Sequence, residues 1–270
     1  MTYAGATAIV TGAGQGIGRA LAVELAQRGA RVFVNDLSEE RAQNVADEVQ
    51  GLAHYGDLRD PQVVRDMVAS AQFEFGSIDM LFSNAGFALG EPDGPTSQDD
   101  SHWQASWDLH VMTHLRASRL LLPMMLKRGS GTLVNIASAA GLLSQIGDAA
   151  YSATKHAAVS LAQSLAIEHA KDGIQVSVVC PLYVATPLLG YSDEDTELPN
   201  GVISPDAVAK ATLDGVARGD FLICPHPEAA KYFAQRGANT NRWIKGMQRL
   251  NERLKSETDR FDPETLHRLI

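Results

Sequence analysis

The chain has 270 residues, 45% hydrophobic and 20% charged, which suits one large α/β domain with a substantial core. Its formal net charge of −9 excludes the basic footprint that a nucleic acid or an anionic membrane surface demands of a partner. Two cysteines without ligand-like neighbours, Cys180 and Cys224, and the lack of a long apolar run or basic leader lead us to expect a cytoplasmic protein with reduced thiols and no metal.

In chain order, Ala6–Val10 is predicted as a buried strand, Gly18–Arg28 as a helix, Arg31–Asn35 as a second strand and Glu39–Val49 as a second helix. A strand near Leu52–Tyr55 follows, then a helix over Pro61–Phe75 with proline in its first turn, and a strand over Ile78–Ser83. One long helix is expected over Ser101–Lys127, kinked or ended by Pro123. Thr132–Ile136 is the fifth strand, Ala149–Lys171 a helix and Gln175–Val179 the sixth strand. Near-continuous apolar strands alternating with helices argue for a parallel sheet covered on both faces. Right-handed crossovers make it a doubly wound, Rossmann-type sheet, and residues 1–270 read as a single domain.

Beyond the sixth strand the pattern changes. Pro187–Pro205 is rich in turn formers and acids without a clear period, and it reads as a substrate lid. A helix over Pro205–Arg218, a strand over Phe221–Cys224 and a helical extension over 226–270 complete the chain. Trp243, Met247, Leu250 and Leu254 lie at helical spacing in that extension and form a packing stripe for the core or a second subunit.

The first predicted strand runs into Gly12, Gly14, Gln15, Gly16, Ile17 and Gly18. Glycines here let the backbone turn tightly and approach a pyrophosphate, while the next helix aims its first N–H groups at the phosphates. Between a strand and a helix, this loop is a strong dinucleotide signal. Asp36 closes the second strand, 20 residues beyond Gly16. A carboxylate there accepts bonds from the ribose hydroxyls of NAD and repels the 2′-phosphate of NADP. Arg41 is expected about a helical turn away, so NAD is the expected cofactor.

With Ser83-Asn84-Ala85-Gly86 after the fourth strand, Ser138 after the fifth and Tyr151-x-x-x-Lys155 on the next helix, the chain resembles the short-chain dehydrogenases/reductases over residues 7–186. The motifs stand in family order, and Ser138 lies 13 residues before Tyr151. The resemblance implies catalysis by Ser138, Tyr151 and Lys155, with Tyr151 and Lys155 also at the cofactor. It further implies that Asp57, Leu58, Asn84, Ala85, Gly86, Pro181, Val184 and Thr186 contribute to the cofactor site, and that the protein forms a homodimer or homotetramer. The small residues Ala153, Ala157, Ala158, Ser160 and Ala162 suit a close two-fold helix contact. Asp57 has a second reading as a helix cap, and Asn84 as a tie between strands.

The chemistry accounts for the residue types. Tyr151 and Lys155, at i and i+4, share a helix face, so the ammonium should lower a phenol pKa that is otherwise near 10. Tyr151 then exchanges the substrate proton while Ser138 holds the substrate oxygen.

Two departures stand out. His110 occupies the place of the family's catalytic Asn in the long helix, where its ring is expected either to join a proton relay or to fill space. His114, one turn on, is expected to pack. Leu182 replaces the usual glycine after Pro181 and either narrows the pocket or alters the turn.

The expected function is NAD(H)-dependent interconversion of a hydrophobic secondary alcohol and its ketone. Its small-molecule pocket is expected to be walled by Ser138, Tyr151, Leu142, Leu143, Ile146, Tyr183, Leu188 and Leu189. Two alternatives are an NAD-binding sensor without turnover and a dehydratase or epimerase on the same fold.

Overall fold

The short apolar runs pair into one parallel sheet whose central strands are buried on both faces. The computed structural model describes residues 3–91, 93–192, 195 and 197–257. Its main strands are β1 (Thr7–Thr11), β2 (Arg31–Asp36), β3 (Leu52–Tyr55), β4 (Met80–Ser83), β5 (Gly131–Ile136) and β6 (Ile174–Val179). Two further strands, β7 (Tyr183–Val184) and β8 (Val202–Ile203), pair only with each other, and β9 (Leu222–Ile223) joins the main sheet. The sheet order is β3-β2-β1-β4-β5-β6-β9, and every pairing is parallel. The order reverses between β1 and β4, where a doubly wound sheet opens a crevice at its strand ends.

The helices are α1 (Gly16–Gln27), α2 (Glu39–Glu48), α3 (Pro61–Phe75), α4 (Asp100–Trp107), α5 (Thr113–Arg128), α6 (Ala140–Leu143), α7 (Ala149–Glu168), α8 (Pro205–Arg218), α9 (Pro227–Ala238) and α10 (Thr240–Glu257). One apolar layer sets Leu21 and Leu25 of α1 and Val208 and Leu213 of α8 against Val10, Phe82 and Val134. The other sets Val64 and Met67 of α3, Leu121 of α5 and Val159 of α7 against Ile9, Leu81 and Leu133.

The long predicted helix breaks at a place the proline does not mark. A π-helical turn over Asp108–Met112 separates α4 from α5, and the Thr113 N–H closes it on the Asp108 carbonyl. Pro123 sits inside α5 on its exposed face, where water can take the carbonyl that its missing N–H frees. The π turn adds a residue to the helix at His110, and π-bulges concentrate at functional sites.

The small-residue face of α7 is only partly free. Ala158 and Ala162 are buried, whereas Ala153 and Ser160 are exposed. His114 is also fully buried, so it packs within its own chain. In the extension, Leu254 is buried and Trp243 packs on the core, while residues 258–270 lie outside the described residues. No helix among the described residues is long and apolar enough to cross a membrane.

Candidate active site

A cavity of about 890 Å³ runs along the carboxyl ends of the strands, from Asp36 past Gly12 and Gly16 to Tyr151. Its first half is main chain. Gly12 and Gly16 have φ of 58° and 55°, a region open to glycine at little cost. A Cβ on Gly12 would stand 2.8 Å from Ala85 Cα, and one on Gly18 would stand 2.1 Å from the Gly12 carbonyl oxygen. Gly14 and Gly18 therefore serve packing beside the cavity, while Gly12, Gln15, Gly16 and Ile17 line it. Gln15 caps α1 without a side-chain bond, which leaves the first-turn amides for an anion. Asn84 donates from Nδ2 to the carbonyls of Thr11 (2.9 Å) and Gly12 (3.0 Å), so it ties β4 to the glycine loop as well as lining the cavity. These features fit an extended dinucleotide.

At the far end the structure corrects one expectation. Arg41 is not a turn away from Asp36: its Nη2 lies 2.8 Å and its Nε 3.1 Å from Asp36 Oδ1. The residue lies five positions on, at the start of α2, so its side chain folds back over the strand end. Asp36 also accepts from the Gly14 N–H (2.9 Å) and the Ser38 N–H (3.0 Å). Asp57 lines the cavity but does not cap α3, a place taken by Asp60. The Arg59 guanidinium bonded to Asp57 holds that carboxyl below its usual range.

Ser138, Tyr151 and Lys155 converge in the middle of the cavity. Tyr151 is hydrogen-bonded to Ser138, whose Oγ also accepts the Ala140 N–H at 3.0 Å. Lys155 Nζ donates to the Ile136 carbonyl (3.2 Å) and lies 5.4 Å from the Tyr151 ring centre. Burial dominates both titrations. It pushes the Tyr151 phenol up to about 12, opposed by the bond to Ser138, and brings the Lys155 ammonium down to about 8. The phenol is thus raised by desolvation rather than lowered as its lysine neighbour led us to expect. Cys180, behind Ser138, is pushed up to about 12 by burial and is no nucleophile near neutrality.

His110 is wholly buried and fully bonded. Its Nε2 accepts the Phe87 N–H at 3.1 Å, which leaves the proton on Nδ1, 2.9 Å from Thr154 Oγ1. Burial and the nearby Lys155 charge hold it well below its ordinary pKa, so the ring is neutral. Both nitrogens are engaged, and neither faces the cavity with a free lone pair.

Beyond Tyr151 the cavity walls are Phe87, Leu89, Leu109, Ile146, Tyr183, Leu188 and Leu189. Leu142 and Leu143, expected among them, do not line it. They belong to α6, a single turn that packs inward against α7, and both are buried in the core. Pro181, Val184 and Thr186 line the cavity as expected, as do Leu58, Ala85 and Gly86.

Several site residues escaped the sequence. Gln145 bonds the Tyr183 hydroxyl across the pocket. His226, 3% exposed, accepts the Leu182 N–H on Nδ1 (3.1 Å) and meets the Tyr183 carbonyl through Nε2 (3.0 Å). It pins the loop containing Leu182, which itself lines the cavity. No local signal marks His226, because Leu182 and Tyr183 lie more than 40 residues away in the chain. Asp148 caps α7 through the Tyr151 N–H (2.9 Å), and an Asp before a helix was a readable sign.

Comparison with known proteins agrees with this geometry. The family model described as short chain dehydrogenase matches residues 6–197. D-beta-hydroxybutyrate dehydrogenase of Rhizobium meliloti is 34% identical over 229 residues, covering 80% of this chain and 86% of its own. Cyclohexanol dehydrogenase of an Acinetobacter species is 34% identical over 192 residues, covering 69% and 76%. Among solved structures, a short chain dehydrogenase/reductase from Burkholderia phymatum in complex with NAD superposes with a TM-score of 0.80 at 25% identity, covering 89% of this chain and 96% of that one. A short-chain dehydrogenase from Sphingobium yanoikuyae in complex with NADPH gives 0.74 at 28% identity, covering 87% and 94%. With its four motifs gathered along one cavity, the chain belongs to the short-chain dehydrogenase/reductase family.

Proposed function

We propose that this protein is an NAD(H)-dependent oxidoreductase that interconverts an uncharged, apolar secondary alcohol and its ketone. The observation that carries this reading is a Ser138–Tyr151–Lys155 group set between a dinucleotide trough and a largely apolar pocket with no Lys or Arg beyond Lys155 among the described residues that line it. Among the described residues lining the cavity, the Lys and Arg side chains are Arg41, Arg59 and Lys155. The two arginines follow β2 and β3, at the trough's far end. The acids Asp99 and Asp148 line the other end, so a carboxylate substrate would find repulsion rather than a partner. This favours a cyclohexanol-like substrate over a hydroxybutyrate-like one.

The nicotinamide, when bound, supplies the hydride acceptor or donor and, when oxidised, a positive charge beside the phenol. Ser138 holds the substrate oxygen against Tyr151. The Tyr151 oxygen takes the hydroxyl proton in oxidation and returns it to the carbonyl oxygen in reduction. Lys155, fixed by Ile136, favours the tyrosinate form against the burial that raises it. Asp36, held by the Gly14 N–H, favours NAD by accepting from ribose hydroxyls, while the Arg41 guanidinium bonded to it weakens its repulsion of a 2′-phosphate. Pro187, Leu188 and Leu189 close one side of the pocket.

The test is NADH formation with cyclic and acyclic secondary alcohols beside 3-hydroxyacids, given NAD⁺ and NADP⁺ in parallel. Turnover of neutral alcohols with NAD⁺ is expected. Activity confined to hydroxyacids, or to NADP⁺, would overturn the substrate or cofactor assignment respectively.

A further inference from the structure

Phe87, Ala88 and Leu89 wall the cavity, and the 87–91 segment they begin has no regular structure; its Phe87, Leu89 and Gly90 amides turn to side chains. Phe87 N–H goes to His110 Nε2 at 3.1 Å. Leu89 N–H and Gly90 N–H both go to Asp148 Oδ2, at 3.3 and 3.2 Å. In return, Glu91 Oε2 accepts the Ala149 N–H, in the first turn of α7, at 2.8 Å. Asp148 uses its other oxygen for the Tyr151 N–H, and His110 uses its other nitrogen for Thr154 of the same helix. Every tie thus ends on the first turns of α7, the helix that carries Tyr151.

We propose that His110, Asp148 and Glu91 are positioning residues that hang the 87–91 wall on the catalytic helix, so that substrate and Tyr151 are held as one unit. The proposal rests on the oxidoreductase reading for its consequence, though not for its geometry. Burial supports it: His110, Asp148 and Glu91 are 0%, 3% and 5% exposed. Two carboxylates so withdrawn from water need donors, and here the donors are a helix N-terminus and loop amides. Buried loop amides likewise need acceptors, and no sheet partner supplies them. The same ties explain the histidine at the family's Asn position: as a neutral ring it reaches both Phe87 and Thr154.

The groups facing His110 are Lys155, His114, His102 and the Tyr151 ring, 5.5 Å away; those facing Glu91 are Asp148 and His102. Among the described residues, no carboxylate acts on His110 to favour its protonation. A second proton on the ring would turn Nε2 into a donor aimed at the Phe87 N–H and release that tie.

Two variants cut the ties without emptying the space. His110→Phe removes both ring bonds. An amide can accept on one side only, so Asp148→Asn keeps one tie and loses the other. Backbone hydrogen exchange by mass spectrometry on the full chain with NADH bound should show residues 86–91 exchanging about tenfold faster in each variant, with the sheet unchanged. KM for the alcohol should rise several-fold while the cofactor Kd stays within about twofold. Unchanged exchange at 86–91, or acceleration spread over the whole molecule in step with a lower Tm, overturns the proposal. Faster local exchange with an unaltered KM removes the positioning role. If no alcohol is turned over at all, the function reading fails, and exchange alone still decides whether the wall hangs on α7.

Discussion

At the Asp36 end of the cavity the walls are main chain: glycines that admit no Cβ, the open amides of α1 and strand ends in register. At the Tyr151 end they are loops held by side chains reaching across the fold, from His110, Asp148, Gln145 and His226. The first end is fragile to added atoms, because backbone cannot step aside. The second is fragile to lost partners, because it keeps polar and ionisable groups away from water. Stability and function therefore run together at the glycine loop and against each other around Lys155.

The sharpest way to break this contrast is Tyr151→Phe. Removing an acid–base group should lower turnover by roughly 10²–10⁴-fold. NADH affinity, measured by fluorescence titration, should stay within about twofold, because the trough is built elsewhere. Retained turnover would take Tyr151 out of the chemistry.

Lys155→Met should abolish turnover and raise Tm. A lysine held at about 8 in the fold against 10.5 outside it contributes fully above pH 10.5, and that contribution is lost as pH falls through about 8. Below pH 8 the charged form therefore burdens the fold by about 3 kcal/mol. Calorimetry should find the variant's advantage largest at pH 7 and shrinking as pH rises toward 10.5. A variant less stable than wild type at pH 7 would show that the ammonium is compensated within the site.

Gly18→Ala tests the other end. Its Cβ would meet the Gly12 carbonyl oxygen at 2.1 Å and Asn84 Nδ2 at 2.5 Å, so strain of about 1–3 kcal/mol is expected. Both Tm and NADH affinity should fall. A normal Tm would mean that the loop relaxes and is less rigid than its packing implies.

Arg41→Ala should have the smallest effect. The half-exposed Arg41 is screened by solvent over a nearly buried Asp36, so the pair contributes about 0.2–1 kcal/mol and cofactor affinities should move only about two- to fivefold. The bare Asp36 should then discriminate more strongly against NADP⁺, read as the ratio of the two Kd values. A ratio that moves toward NADP⁺ would show Arg41 to be merely obstructive.

Much of the sheet was legible because strands buried on both faces write themselves as unbroken apolar runs. The glycine loop was legible because its constraint is local, with a strand, a tight turn and a helix in succession. Tyr151 and Lys155 were legible together because one helical turn separates them. Leu142 and Leu143 misled for the converse reason: apolar side chains suit a pocket wall and a core equally, and only the inward packing of α6 chose the core.

By itself, then, the sequence determined the parallel sheet, the glycine loop between β1 and α1 and the pairing of Tyr151 with Lys155 on one helix face, all of which depend on short-range periodicity and spacing. Only the tertiary structure decided that Arg41 lies on Asp36, that a π turn rather than Pro123 breaks the long helix, and that His110 and His226 hold loops in place. A π turn depends on what the helix packs against, and a buried histidine's part depends on which amides face its two nitrogens. Those partners meet only once the chain has folded.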